Sequence, residues 1–375
     1  MRSPIKFGVL AGMAAVILAL LVFGGLSFLE WWNTPLGQEL AALTQTPAKK
    51  TPLPPPAETL IRGTQETAGP TGEGEMAEAA VTPTGEISPA ASPQPICGGP
   101  ETLNLLVTGV DSGTYLYGLS DAIRIIRVDF VKGKVTVLPL PRDLYVSIPI
   151  SIPGLEKNST FGKLNQAYFY GSPGMGYYDH PDGGPGLLAR TLGENFNLRV
   201  DRYLSVNTRI FRRMVDEVGG VNVYLPENVY GHHFQEPVLY LEAGSHHLDG
   251  KQAEMVARHR TLIGDFGRVK NQTILFKAFI RSLLTTEGLK SIPDLVEIYR
   301  NHVLMDLTPN EISKLICLVS RIDRQEDIVF AEFPRDLLQE ERVYDEVQDG
   351  EMYVLIPDHD DVVGLLADFQ AGRWP

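Results

Sequence analysis

Cysteine is almost absent from this chain: 375 residues contain only Cys97 and Cys317. Two cysteines do not make a disulfide-rich scaffold, so the fold must rest on an apolar core. A basic excess is absent too. Asp and Glu total 46 against 33 Lys and Arg, a net charge of −13. That balance gives no chain-wide support for binding nucleic acid, so any anion site must be local. No internal repeat is visible. The length suits a membrane anchor, a linker and one or two domains.

What is present divides the chain. Residues 1–6 carry Arg2 and Lys6 and read as a short cytoplasmic N-terminus. Phe7 to Leu29 runs 23 residues without a charge, long enough to span a bilayer. No small-residue cleavage site follows. Glu30, Trp31 and Trp32 come instead, and paired tryptophans suit a membrane–water interface. Segment 7–29 therefore reads as an uncleaved transmembrane signal anchor, with all that follows outside the cell membrane. Residues 30–100 are rich in Pro, Thr, Gly and Glu, with too few large apolar residues to fold, and read as a disordered linker.

From Glu101 the pattern becomes that of a layered α/β domain. Strands are expected at Leu103–Gly109, Ile123–Phe130, Lys134–Leu140, Tyr203–Val206, Val221–Leu225, Val238–Leu241 and Ile328–Phe333. Helices are expected at Phe161–Tyr170, Pro185–Asn195, Thr208–Val218, Gly250–Ala257, from Asp265 onward, near Ser291–Tyr299 and at Pro309–Ile322. A strand–helix pair from Tyr353 closes the chain.

The most informative stretch runs from Arg258 to Gln272. Arg258 and Arg260 would share a face on an extended segment. Asp265, Arg268 and Gln272 recur at i, i+3 and i+7, and Phe276, Phe279 and Ile280 continue that helical stripe with apolar residues. Arginines gathered beside a helix start suit a polyphosphate, because the guanidinium fork makes two parallel bonds to phosphate oxygens. Singly, each arginine reads more simply as one half of a surface ion pair.

Asp111 ends the first strand and Asp121 opens the second, where ligands of α/β sheets gather. The two carboxylates could share a Mg²⁺ or be ordinary turn aspartates; spacing favours neither. His232-His233 and His246-His247 lack a third zinc ligand at a characteristic spacing and read as loop histidines. Pro141-Arg142-Asp143 and Asp265-Phe266-Gly267 look like protein-kinase fragments, yet the Gly-rich loop and catalytic-loop Asn of that fold are missing.

Taken in order, Asp111-Ser112, Ser120-Asp121, Pro141-Arg142-Asp143, Lys163-Leu164-Asn165-Gln166-Ala167-Tyr168, Gly183-Gly184-Pro185, Gly219-Gly220-Val221, Leu248-Asp249-Gly250-Lys251-Gln252-Ala253, Arg258-His259-Arg260 and Asp265-Phe266-Gly267-Arg268 with Gln272 resemble the LytR-CpsA-Psr family. The match covers residues 101–285, with 286–375 as the C-terminal part of the same extracytoplasmic domain. The resemblance implies an α/β/α sandwich around a central mixed sheet. It implies a membrane-anchored phosphotransferase that moves a polyprenyl-pyrophosphate-linked glycan onto a cell-wall acceptor hydroxyl. Carried over, Asp111 and Asp121 would hold Mg²⁺, and Arg142, Arg258, Arg260, Arg268 and Gln272 would surround the pyrophosphate. Lys163 and Asp265 would border it, and Asp265 or a metal-bound carboxylate would take the acceptor proton. A non-catalytic polyprenyl-phosphate binder and a polyprenyl-pyrophosphate hydrolase are the alternatives. The family usually has Arg where this chain has Leu119, and often Arg where it has Gly113; Arg124 is the nearest candidate substitute.

Cys97 sits where the linker meets the first strand. Cys317 lies opposite the apolar stripe Ile312, Leu315, Ile316, Val319 and Ile322 of its helix. Both are read as lying outside the membrane, where disulfides persist, and they are expected to pair.

Overall fold

Strand β1 (Thr102–Val110) is buried along most of its length, its polar Asn104 and Thr108 included, as a strand covered on both faces must be. It lies inside a mixed six-stranded sheet with β2 (Ser120–Asp129), β3 (Lys134–Leu140), β6 (Arg202–Asn207), β11 (Leu304–Met305) and β12 (Ile328–Phe330). The order is β11-β6-β1-β2-β3-β12. Strands β1, β2 and β3 pair antiparallel, while β6 joins β1 and β12 joins β3 in parallel. The computed structural model describes residues 30–40, 94–153, 160–231, 238–260, 264–283, 302–322 and 327–374, with 285, 288 and 291 singly. The expected anchor 7–29, linker residues 41–93 and residues 292–299 of an expected helix lie outside the described residues. Among the described residues no helix is long and apolar enough to cross a membrane.

Successive residues of a strand point to opposite faces, so each central strand feeds two cores. Leu106, Ile125 and Leu138 enter the first core, with Tyr168 from α1 (Leu164–Gly171), Leu187, Leu192 and Phe196 from α2 (Gly183–Phe196) and Leu366 and Phe369 from the last helix. Helices α1 and α2 meet at glycines: a Cβ on Gly184 would lie 2.7 Å from the Tyr168 carbonyl oxygen. Leu105, Ile126, Val128 and Val137 enter the second core. It is covered by α3 (Thr208–Glu217), α4 (Gly250–Arg258), α5 (Asp265–Leu283) and α6 (Pro309–Arg321), which supply Met214, Val256, Leu275 and Leu318. Full burial of a leucine or isoleucine contributes about 1.5–3 kcal/mol, so these cores carry the fold.

The helices start where side chains satisfy their free N–H groups. The Asn207 Oδ1 accepts from the Ile210 N–H, and Asp249 and Thr308 form capping boxes with Gln252 and Glu311. Phe161–Tyr170 is not one helix. Thr160–Lys163 pairs as a strand with Tyr145–Ile148, and helix begins only at Leu164. The hairpin Leu338–Asp345 with Gly350–Pro357 packs beside it through a Leu355 N–H bond to the Asp143 carbonyl, 2.8 Å.

Two pieces of the segment read as disordered linker lie on the domain. In 30–40, the Leu36 N–H donates to the Leu307 carbonyl at 3.1 Å and the Tyr203 hydroxyl to the Gln38 carbonyl at 2.7 Å. In 94–100, the Ile96 N–H donates to the Phe130 carbonyl at 2.7 Å. Leu36, Leu40 and Ile96 pack against the cores, which is apolar surface enough to hold these short stretches in an otherwise polar run. Cys97 and Cys317 form a disulfide, with Cα atoms 6.0 Å apart. Ile312, Leu315 and Ile322 of the expected α6 stripe pack on the second core, but Leu318 is fully buried while Ile316 is 41% exposed.

Candidate functional site

The site is built from strand ends and the start of one helix. Strand β1 leads into Asp111, whose N–H donates to the Leu119 carbonyl at 3.0 Å. Its Oδ1 accepts the Leu119 N–H at 2.8 Å, which closes the connection to β2. Asp121 follows Ser120 at the start of β2, and Arg142 stands two residues beyond the end of β3. Helix α5 opens with Asp265 and carries Arg268 one turn on.

These residues pair in a closed ring. Arg142 Nη1 lies 2.6 Å from Asp121 Oδ1, and Arg142 Nε 3.0 Å from Asp265 Oδ1. Arg268 Nη1 lies 2.9 Å from Asp121 Oδ2, and its Nη2 reaches Asp265 Oδ1. Asn165 donates to Asp121 Oδ1 at 3.2 Å, and Gln272 Nε2 lies 3.4 Å from both the Asp121 and the Ala257 carbonyl oxygens. Such pairing in low dielectric is strong, and removing one member leaves a buried charge uncompensated.

Each acid answers differently to the ring. Burial pushes the Asp121 carboxyl up, but Arg268 and Arg142 outweigh it and hold the group below the usual carboxylate range. Burial raises Asp265 above that range despite the same two arginines. Burial also raises Asp111, with the Asp121 charge adding to it and the Leu119 N–H opposing.

The ring forms one end of a cavity of about 810 Å³. Asp111, Asp121, Arg142, Arg258, Arg260 and Arg268 line that end. Val107, Leu204, Val206, Phe211, Phe276 and Phe279 line the rest, over the cavity-side face of β1 and β6. The two mouth arginines are free in a way the inner pair is not. Arg258 is 61% exposed and touches Glu254 through Nη1 at 3.1 Å, whereas Arg268 is 6% exposed. Arg258 is not on an extended segment as expected. It is the last residue of α4, and His259 after it is extended, its Nδ1 directed at the Tyr230 carbonyl 3.2 Å away. The helix runs one residue further than sequence suggested, and the break at His259 still leaves both arginines on the cavity.

Two expected border residues stand back. Lys163 does not line the cavity; its Nζ lies 2.9 Å from Asp143 Oδ1. Asp265 reaches the cavity only through Arg142 and Arg268. His246 and His247 sit on a strand and bond the Glu242 carbonyl and Asn222 Oδ1. Among the described residues no cluster of three or more His, Cys, Asp or Glu could hold a metal ion. Asp111 and Asp121 alone fit a hard cation that takes one or two carboxylates and completes its shell with water and phosphate. Burial lifts Asp111 and the Asp121 charge adds to it, and a bound cation would offset both.

Fold and cavity define a class: a mixed α/β protein whose central sheet floors an amphiphilic cavity headed by arginines and carboxylates. The chain belongs to the LytR_cpsA_psr family, whose family model matches residues 74–366. It is 29% identical over 221 residues to the polyisoprenyl-teichoic acid–peptidoglycan teichoic acid transferase TagU of Oceanobacillus iheyensis, covering 58% of this chain and 62% of that protein. It is likewise 29% identical over 202 residues to the regulatory protein MsrR of Staphylococcus aureus, covering 54% and 55%. The chain thus spans less than two-thirds of the length of these curated relatives. The crystal structure of TagV from B. subtilis shares the fold, with a TM-score of 0.53, 20% identity, and coverage of 72% of this chain and 98% of that one.

Proposed function

We propose that this protein is a phosphotransferase that moves a glycan from a polyprenyl pyrophosphate carrier onto a cell-wall acceptor hydroxyl. One observation carries the reading: a single cavity joins a charged mouth to an apolar interior. An amphiphile with an anionic head and a long hydrocarbon tail is the ligand that satisfies both ends. The name of the Oceanobacillus relative points to the same substrate class.

In this reading Arg258 and Arg260 capture the pyrophosphate at the mouth. Arg142 and Arg268 then exchange carboxylate oxygens for phosphate oxygens, with Gln272 beside them. Asp111 and Asp121 would hold a Mg²⁺, which supplies charge neutralisation at the pyrophosphate when bound. The acceptor oxygen forms a bond to the glycan-bearing phosphorus, and the bond from that phosphorus to the bridging oxygen breaks. Polyprenyl phosphate departs, its new charge met by the arginines. Asp265, which meets the cavity through Arg142 and Arg268, or a carboxylate of the Asp111–Asp121 pair takes the hydroxyl proton. Lys163 holds Asp143 beneath Arg142. The segment 7–29 anchors the protein, and the domain works on the extracytoplasmic side, next to its lipid substrate.

The test is turnover of the full chain in detergent with a polyprenyl-pyrophosphate-linked glycan and peptidoglycan. Stoichiometric release of polyprenyl phosphate with glycan joined to the acceptor is expected. Release without attachment would make the protein a hydrolase; retention of intact lipid would make it a binding protein. Arg258→Ala should weaken lipid binding by roughly 1.5–3 kcal/mol, the scale of a charge-assisted hydrogen bond.

A further inference from the structure

Among the described residues Arg124 has no counter-ion. It lies on β2, on the face that also presents Ile126 and Val128 to the second core, between Val107 of β1 and Pro139 of β3. It is 6% exposed, and its Nη2 has no hydrogen-bond partner. Its guanidinium lies over the Phe276 ring, 5.6 Å from the centroid, and it lines the cavity. A guanidinium offers five donors and is costly to bury without acceptors. Burial, with no acid opposing it, pushes its pKa down to about 10, which still leaves it charged at neutral pH. Every other arginine lining the cavity for which a bond is described touches a carboxylate: Arg142, Arg258 and Arg268.

Its place along the cavity follows from the two elements that hold it. Arg124 is three residues past Asp121 on a strand, about 10 Å further in by strand rise. Phe276 is two turns past Arg268 on α5, but helical side chains lean back toward the N-terminus, so its ring covers the turn above its own Cα. The guanidinium on that ring therefore lies just inside the charged ring and ahead of the apolar remainder.

We infer that Arg124 is an inner phosphate ligand, which makes the cavity selective for a lipid diphosphate over a monophosphate. This rests on the lipid-pyrophosphate reading above and deepens it. A monophosphate held by the mouth arginines leaves Arg124 buried and unpaired. A diphosphate offers a second phosphoryl group along the cavity axis, and its oxygens supply the acceptors that Arg124 lacks. Arg124 acts as a specificity-determining residue, placed where the head group gives way to the hydrocarbon tail.

The experiment is calorimetric titration of the full chain in detergent with farnesyl diphosphate and with farnesyl monophosphate, for the parent, Arg124→Met and Arg124→Lys. The parent should bind the diphosphate at least tenfold more tightly. Arg124→Met should lose roughly ten- to hundredfold for the diphosphate, the worth of a charge-assisted pair, while its monophosphate affinity stays within about twofold. Arg124→Lys should fall between. Removing an unpaired buried charge should leave the melting temperature of Arg124→Met equal or higher, so loss of fold does not mimic the result. Unchanged diphosphate affinity in Arg124→Met, or equal losses for both lipids, overturns the inference and leaves the lipid reading standing. A parent that binds neither lipid overturns both.

Discussion

The two faces of the central sheet are made from the same strands and do opposite things. Leu106 and Val107 are neighbours on β1, yet one is sealed in the first core and the other lines the cavity. On the closed face, α1 and α2 approach through glycines and fill the space with Tyr168, Leu187 and Phe196. On the open face, α3, α4 and α5 stand off far enough to leave about 810 Å³. Stability is thus concentrated where packing is complete, and the space for a ligand is set on the other side of a shared sheet. The site's ion pairs sit at the rim of the open face, where strand ends and a helix start converge.

The sharpest way to break this contrast is to truncate the neighbours in turn. Leu106→Ala should cost about 3–5 kcal/mol, the range for a leucine deleted from a close-packed core. Val107→Ala should cost only about 1 kcal/mol, since its side chain already borders open space. Urea unfolding of both variants measures the difference. Equal losses would mean that the open face is as well packed as the closed one.

The disulfide offers a second handle. Cys317 belongs to α6, which covers the open face, and Cys97 sits beside Ile96, which packs on the same core. Neither Ile96 nor any residue of α6 lines the cavity, so the covalent tie adds to packing at the far side of the open face. The pair closes a separation of 220 residues. Replacing both cysteines with serine should cost about 2–4 kcal/mol, and native strain decides where in that range it falls. Hydrogen exchange should rise in α6 and stay unchanged in α1 and α2. Uniform loosening of both faces would remove the staple from this account.

How much of this was readable follows the same division. The strands β1, β3 and β7 (Val221–Leu225) announce themselves by apolar runs or alternation, and the 265–283 helix by its stripe from Asp265 to Phe279. Those are local signals. Phe161–Lys163 reads on sequence as the start of a helix, because its strand character comes from pairing with Tyr145–Ile148, a tertiary event. Leu338–Asp345, with its run of charged residues, shows no apolar alternation and gives no strand signal of its own. The arginine cluster was legible as a cluster. Its wiring was not, since Asp121 and its partner Arg268 are 147 residues apart and no spacing encodes that choice of partner. Arg124 reads on sequence as the nearest substitute for the arginine replaced by Leu119; only the structure shows that its buried Nη2 has no hydrogen-bond partner among the described residues and that it lines the cavity.

The last expected effect concerns an edge strand of the sheet. Asp306 follows β11 and is fully buried, and its Oδ1 accepts the Tyr203 N–H at 2.7 Å. Burial pushes its carboxyl up to about 6, against the Tyr203 N–H and Arg202, which hold it down. A carboxyl with a raised folded pKa binds its proton more tightly in the folded state. Its contribution is complete below the unfolded value near 4 and is lost as pH rises through about 6. Stability should therefore fall by up to about 3 kcal/mol between pH 4 and pH 7 from this group alone. Paired acids such as Asp121, held low by Arg268 and Arg142, act in the opposite direction as pH drops below their range. Asp306→Asn keeps an acceptor for the Tyr203 N–H and carries no charge, so it should be more stable than the parent at pH 7 and nearly equal to it at pH 4. Melting curves of the two proteins across that range isolate the term. A parent and variant that melt together at pH 7 would show that Asp306 is already neutralised by a partner, and that the edge of the sheet is no weaker than its centre.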